Sequence, residues 1–151
     1  MRLITHILFS IFILLLTARF THLVYLIQIV ILSFVNIVID SAGHSAFRGP
    51  NRTPLTHSPL SATIVGGVYG LASYFILPIF GIVTPIIFMV GGGIVVAWSH
   101  LFLDSMTYNG IYVFKKRLAL AHFKNGLIDI PFVLISLIVI IYLLGFFPVA
   151  I

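Results

Sequence analysis

LVYLIQIVILSFVNIVI, Leu23–Ile39, is an apolar run interrupted only by Gln28, Ser33 and Asn36, and it ends against Asp40. A helix needs about 20 predominantly apolar residues to cross the hydrocarbon core of a bilayer, with about 17 as the lower bound, so this stretch reads as a transmembrane helix. The rest of the sequence agrees. Hydrophobic residues make up 61% of the 151 positions and charged residues 7%, whereas a soluble domain carries roughly a quarter charged residues. The membrane class follows from composition alone.

Working outward from that run, four more apolar segments appear. LITHILFSIFILLL, Leu3–Leu16, has the basic start and apolar core of a signal peptide. No small-x-small cleavage site follows it, so it reads as a short span reaching about Phe20, with Arg19 snorkelling to the interface. The others are placed at 59–80, 83–103 and 127–147. Pro78, Gly81 and Pro85 mark a tight turn between the third and fourth spans. The expected fold is an all-α, polytopic membrane helical bundle of about five transmembrane helices, spanning 1–151 as one domain, with spans at 3–20, 23–39, 59–80, 83–103 and 127–147. Ala62, Gly66 and Gly70 recur at helical spacing, and Gly91, Gly92 and Gly93 are consecutive. Both patterns read as sites of close helix packing or bending.

Five spans put the N-terminus and the 40–58 and 105–126 loops on one side of the membrane. Arg2, Arg48, Arg52, Lys115, Lys116, Arg117 and Lys124 lie on that side and only Arg19 on the other. The positive-inside rule then predicts a multi-pass protein of the cell membrane with its N-terminus and basic loops in the cytoplasm. The net charge of +5 is spread over loops beside apolar runs, which favours contact with lipid headgroups over nucleic acid. His122 falls on a basic amphipathic stretch expected to rest on headgroups. His22 lies on the opposite side. Asp129 is expected to face the positive end of the last helix.

The remaining polar residues converge. His6, Asp40, His44, Thr56, His57, Ser58, His100 and Asp104 all map to the cytoplasmic ends of spans or to the loop beside them. Ionisable groups at membrane depth are costly alone and normally pair or bind something in the bundle interior. In SHLFLD, Ser99–Asp104, His100 and Asp104 stand at i and i+4 on one helix face, a spacing that suits two ligands of one ion or a carboxylate orienting an imidazole. With Asp40 and His57 they form a candidate metal site. The chain has no Cys, so such a site must use imidazole and oxygen donors, which suits zinc or a harder divalent ion. Ser58 and Ser99 lack the strand-turn-helix setting of a nucleophile elbow, which argues against a serine hydrolase.

In chain order the motifs are THILFS, DSAGH, RTPLTHS and SHLFLDS. This series resembles the small membrane proteins described as membrane-bound metal-dependent hydrolases, a family with bacterial and archaeal branches, over about the first two thirds of the chain. The resemblance implies candidate ligands at His6, Asp40, His57, His100 and Asp104 and roles for Arg52 and Ser58. The bacterial pattern reads Asp-x-Asp-His and then His-Arg-Gly-x-Thr-His-Ser. Here a single Asp40 stands four before His44, Asn51 replaces the His before the Arg, and one extra residue separates Arg52 from Thr56.

Together these readings predict a hydrolase holding a divalent ion, zinc by preference, on Asp40, His57, His100 and Asp104, with His6 or His44 completing the shell. Asp104 would act as base and Arg52 would meet a substrate phosphate. The depth of the site suggests a lipid or another phosphoester. The alternative is non-catalytic: the same cluster binds a metal, or knits the helices together as a polar network. A transporter ranks third, because the middles of the spans are nearly bare apart from Gln28 and Asn36.

Overall fold

The structure is a computed structural model, and it describes residues 1–18, 23–45, 54–114, 116–121, 123 and 128–146. The expectations placed on Arg19, His22, Arg48, Arg52, Lys115, His122 and Lys124 lie outside the described residues, as does the side chain of His44.

The fold is mostly helical. In chain order it has α1 (Leu3–Ala18), α2 (Leu23–Ser33), α3 (Val35–Ser45), α4 (Pro59–Ile76), a 3₁₀ turn (Leu77–Phe80), α5 (Ile86–Ser105), a hairpin of β1 (Ile111–Val113) and β2 (Lys116–Leu118), and α6 (Asp129–Phe146). Among the described residues three helical stretches are long and apolar enough to cross a membrane: Tyr25–Ala42, which runs through α2 and α3, Pro59–Phe80, and Ile86–Ser105. Leu3–Thr17 and Asp129–Gly145 are apolar but shorter. The second predicted span extends further than its apolar run, because the helix continues past Asp40. The fourth starts later than predicted: Pro85 is the N-cap of α5 in an extended conformation, which leaves 83–85 outside the helix.

The break between α2 and α3 sits at Phe34, without a proline. There the Ile37 amide bonds the Phe34 carbonyl, three residues back, at 2.9 Å. The Ser33 carbonyl takes the Asn36 side-chain amide, Nδ2, at 2.8 Å. A polar side chain inserted into the backbone ladder is a recognised cause of such a bend.

Helices α4 and α5 pack through glycine. A Cβ on Gly66 would collide with the Gly93 carbonyl, and one on Gly70 with the Met89 carbonyl. The backbones touch there, as the small-residue spacing predicts. Gly92 faces Leu32, whereas Gly91 meets nothing. The turn between the two helices closes on Gly81, in the left-handed region at φ 75°, which glycine tolerates without a steric cost. Leu14, Ile29, Leu32, Ile39, Met89 and Val96 belong to one buried cluster. By contrast Leu60, Ile64, Val68, Leu71 and Phe75, along α4, stay exposed.

The segment after α5, read as part of a basic loop, departs from the all-α expectation. Strands β1 and β2 pair antiparallel as a hairpin, with Ile111 opposite Leu118, Tyr112 opposite Arg117 and Val113 opposite Lys116. The β-branched and aromatic Ile111-Tyr112-Val113 favours a strand. Gly110 supplies the positive φ, 60°, that opens it, and a Cβ there would strike the Leu118 carbonyl.

Candidate metal centre

Each helix that reaches the site does so through a polar pair four residues apart: His6 and Ser10 on α1, Asn36 and Asp40 on α3, His100 and Asp104 on α5. That spacing puts both members of a pair on one face. His57 comes from the turn ahead of α4. Its position is set by Ser58, the N-cap of that helix, whose hydroxyl and backbone exchange hydrogen bonds with Ser61 in a capping box. Pro59 follows in the first turn, where its missing amide proton costs nothing.

Five of the residues singled out in the sequence meet. His100 Nε2 lies 3.2 Å from Asp104 Oδ2 and 3.5 Å from Asp40 Oδ1. His57 Nε2 is 3.5 Å from Asp104 Oδ2. His6 Nε2 is 3.4 Å from the other oxygen, Asp104 Oδ1, and its ring stacks on that of His100 with centroids 4.0 Å apart. The donor atoms fall into two overlapping triads, His6–His100–Asp104 and Asp40–His57–His100, each with all its atoms within 4.8 Å of one another. His6, His57, His100 and Asp104 are buried, and Asp40 retains 26% exposure. Among these five residues Asp40 is the one that is accessible from outside.

The hydrogen-bond network fixes the chemistry of His100. A backbone carbonyl can only accept, so the Asn36 atom facing Ser33 must be the amide nitrogen. The same nitrogen faces Ser10 Oγ at 2.9 Å. Asn36 Oδ1 then points at His100 Nδ1, 3.1 Å away, which makes Nδ1 the protonated donor and leaves Nε2 for the cluster. Ser10 is itself held by the His6 carbonyl and by Ser99 Oγ. His100 Nε2 makes no hydrogen bond among the described residues, although two carboxylate oxygens lie beside it. A bare lone pair on Nε2 set against two carboxylates is unfavourable, and either a proton on Nε2 or a metal ion between the groups relieves it. A divalent ion fits this donor set: imidazole and carboxylate converge, and an amide orients one imidazole from behind as outer-shell partners of metal ligands do.

Of the remaining sequence-predicted residues, Ser58 serves as the cap just described, and His44 contributes its backbone to α3. Asp129 lies in the first turn of α6, as expected, and also accepts from Thr5 Oγ1 at 2.9 Å and the Arg2 amide at 3.2 Å, which ties α6 to the start of α1. Asn36 and Ser10 were not picked out as site residues. The i, i+4 polar pairing on three apolar helices was the signal that could have found them.

A helical protein with stretches long enough to cross a membrane, and with imidazoles and carboxylates gathered at one end of its helices, is the class these features define. Residues 1–103 match a family described as a protein of unknown function, DUF1286, and the chain belongs to that family. The match takes in His6, Asn36, Asp40, His57 and His100 and stops one residue short of Asp104. No curated protein and no solved structure matches the chain.

Proposed function

We propose that the protein is an integral-membrane, metal-dependent hydrolase of five spans, with its His/Asp site and basic loops at the cytoplasmic face. The observation that carries the reading is the meeting of three imidazoles and two carboxylates in a cluster of which, among the described residues, Asp40 is the partly exposed member. Asp40, His57, His100 and Asp104 would hold one divalent ion, zinc by preference, and His6 would brace Asp104 through its second oxygen. A bound ion of this kind supplies Lewis acidity, which polarises an ester or phosphoester oxygen and acidifies water. The carboxylate on the open side, Asp40, and Asp104 are the available bases. Arg52, five residues before His57 in sequence, has the planar fork that matches phosphate oxygens. A site at headgroup depth favours a lipid phosphoester. The exposed apolar residues of α4 suit a lipid surround, and α1 and α6, apolar but shorter than the other three stretches, would complete the five spans.

The test is a panel of phosphomonoesters, phosphodiesters, carboxylic esters and lipid phosphoesters, run with purified protein in lipid nanodiscs. The expected result is turnover that a chelator abolishes and added zinc restores, with His57→Ala inactive but helical by circular dichroism. Metal binding without turnover of any member contradicts the hydrolase.

A second reading is favoured by the chain Ser99–Ser10–Asn36–His100. In it the cluster is a polar network that only ties α1, α3 and α5 together, with a proton rather than a metal between His100 and the carboxylates. Such contacts contribute on average about 0.6 kcal/mol each in membrane proteins.

A further inference from the structure

The metal centre leaves the basic stretch after α5 unused, and three features of its hairpin point one way. First, Phe114 at the tip is 90% exposed and sits at φ 55°, a left-handed conformation that is an outlier for a bulky side chain. Strain kept at an exposed aromatic suggests that its display has a use. Second, Lys116, Arg117 and Leu118 are all exposed, beside exposed Tyr108, Leu120 and Phe123. Arg117 stacks over the Tyr108 ring, 5.4 Å from its centroid, and donates to the Tyr108 carbonyl. The surface is therefore apolar and cationic together. Third, the hairpin is tied to the end of the bundle that carries the site. The Tyr112 amide donates to the His57 carbonyl and the Leu120 amide to the Ser105 carbonyl, each at 2.8 Å. It thus leaves directly from the end of a helix of bilayer-spanning length.

We infer that the hairpin is a docking surface for an anionic lipid leaflet. Phe114 enters the interfacial layer, and Lys116 and Arg117 contact headgroup phosphates. Each basic side chain near an anionic surface favours docking about fivefold. Through Tyr112 and His57, the leaflet braces the turn that carries a candidate ligand. This inference rests on the membrane-spanning part of the proposed function and not on the metal.

Trp98 is the one tryptophan of the chain and is half exposed on α5, and there is no cysteine. Full-length protein is placed in nanodiscs of phosphatidylglycerol or phosphatidylcholine containing lipids brominated near the headgroup end of the acyl chain. Wild-type Trp98, read with lipids brominated deeper in the chain, reports whether the helices are inserted. Phe114→Trp in a Trp98→Phe background reports the hairpin. The expected result is loss of most of the emission from the introduced indole in phosphatidylglycerol, with less loss in phosphatidylcholine and in Lys116→Gln/Arg117→Gln. Equal quenching in both lipids overturns the anionic preference. Emission quenched by aqueous iodide and untouched by brominated lipid, with Trp98 still quenched, overturns the docking and leaves the surface to a protein partner. An unquenched Trp98 overturns the spanning reading itself. Should the double variant not fold, Phe114→Cys carrying an environment-sensitive fluorophore gives the same comparison, a blue shift in the anionic leaflet being expected and its absence contradicting the inference.

Discussion

Asn36 is where one side chain does two jobs. Its amide nitrogen covers the Ser33 carbonyl at the bend between α2 and α3, and its oxygen sets the His100 tautomer. Outer-shell partners of metal ligands typically contribute 10–100-fold to affinity, so Asn36→Leu is expected to weaken zinc binding by about that factor. Titration against a competing chelator measures it, and an unchanged affinity contradicts the positioning role. Asn36→Gln, which keeps both hydrogen-bonding groups, should recover part of the loss. The clustered residues were legible in the sequence because His100 and Asp104 pair at i, i+4 and because ionisable residues are so scarce in this chain. Asn36 was not, because its i, i+4 spacing to Asp40 does not reveal that its amide meets Ser10 and His100 until α1 and α5 are packed beside it. Ser58 was read as part of the chemistry, and the structure gives its hydroxyl to the cap of α4; the two roles share one short motif that sequence does not separate.

At the scale of elements, the α4–α5 contact rests on three glycines whose backbones meet, Gly66, Gly70 and Gly93. Gly66→Val puts a side chain where the Gly93 carbonyl stands, and overpacking of this kind costs about 1–3 kcal/mol. Thermal unfolding in detergent should show the loss, while Gly91→Ala, whose Cβ meets nothing, should be neutral or stabilising by up to about 1 kcal/mol through helix propensity. Similar behaviour of the two variants contradicts the packing. This seam was readable from the Ala62, Gly66, Gly70 spacing, because close approach of helices demands small residues at a fixed period. The hairpin was not. Its basic and apolar residues also satisfy an amphipathic pattern, and only the pairing of Tyr112 with Arg117, together with the bond to His57, selects strands.

For the whole molecule, apolar length and the Lys/Arg distribution carried most of the reading, since bilayer thickness leaves few alternatives for runs such as Leu23–Ile39. The helix ends shifted where a cap or a proline decides them, as at Pro85. With no cysteine in the chain, single cysteines introduced at Asn109 and Ile82 give a direct check of sidedness. A membrane-impermeant thiol reagent on right-side-out vesicles should label the second and spare the first, and the reverse pattern contradicts the orientation. The central claim is that distant turns of α1, α3 and α5 and the turn ahead of α4 gather imidazoles and carboxylates around a divalent cation. Elemental analysis of detergent-purified protein tests it most directly. One equivalent of a divalent metal, retained through gel filtration and lost in His57→Ala and Asp104→Ala variants that keep their helicity, is the expected result; metal-free wild-type protein after incubation with zinc, or metal content indifferent to both substitutions, contradicts it.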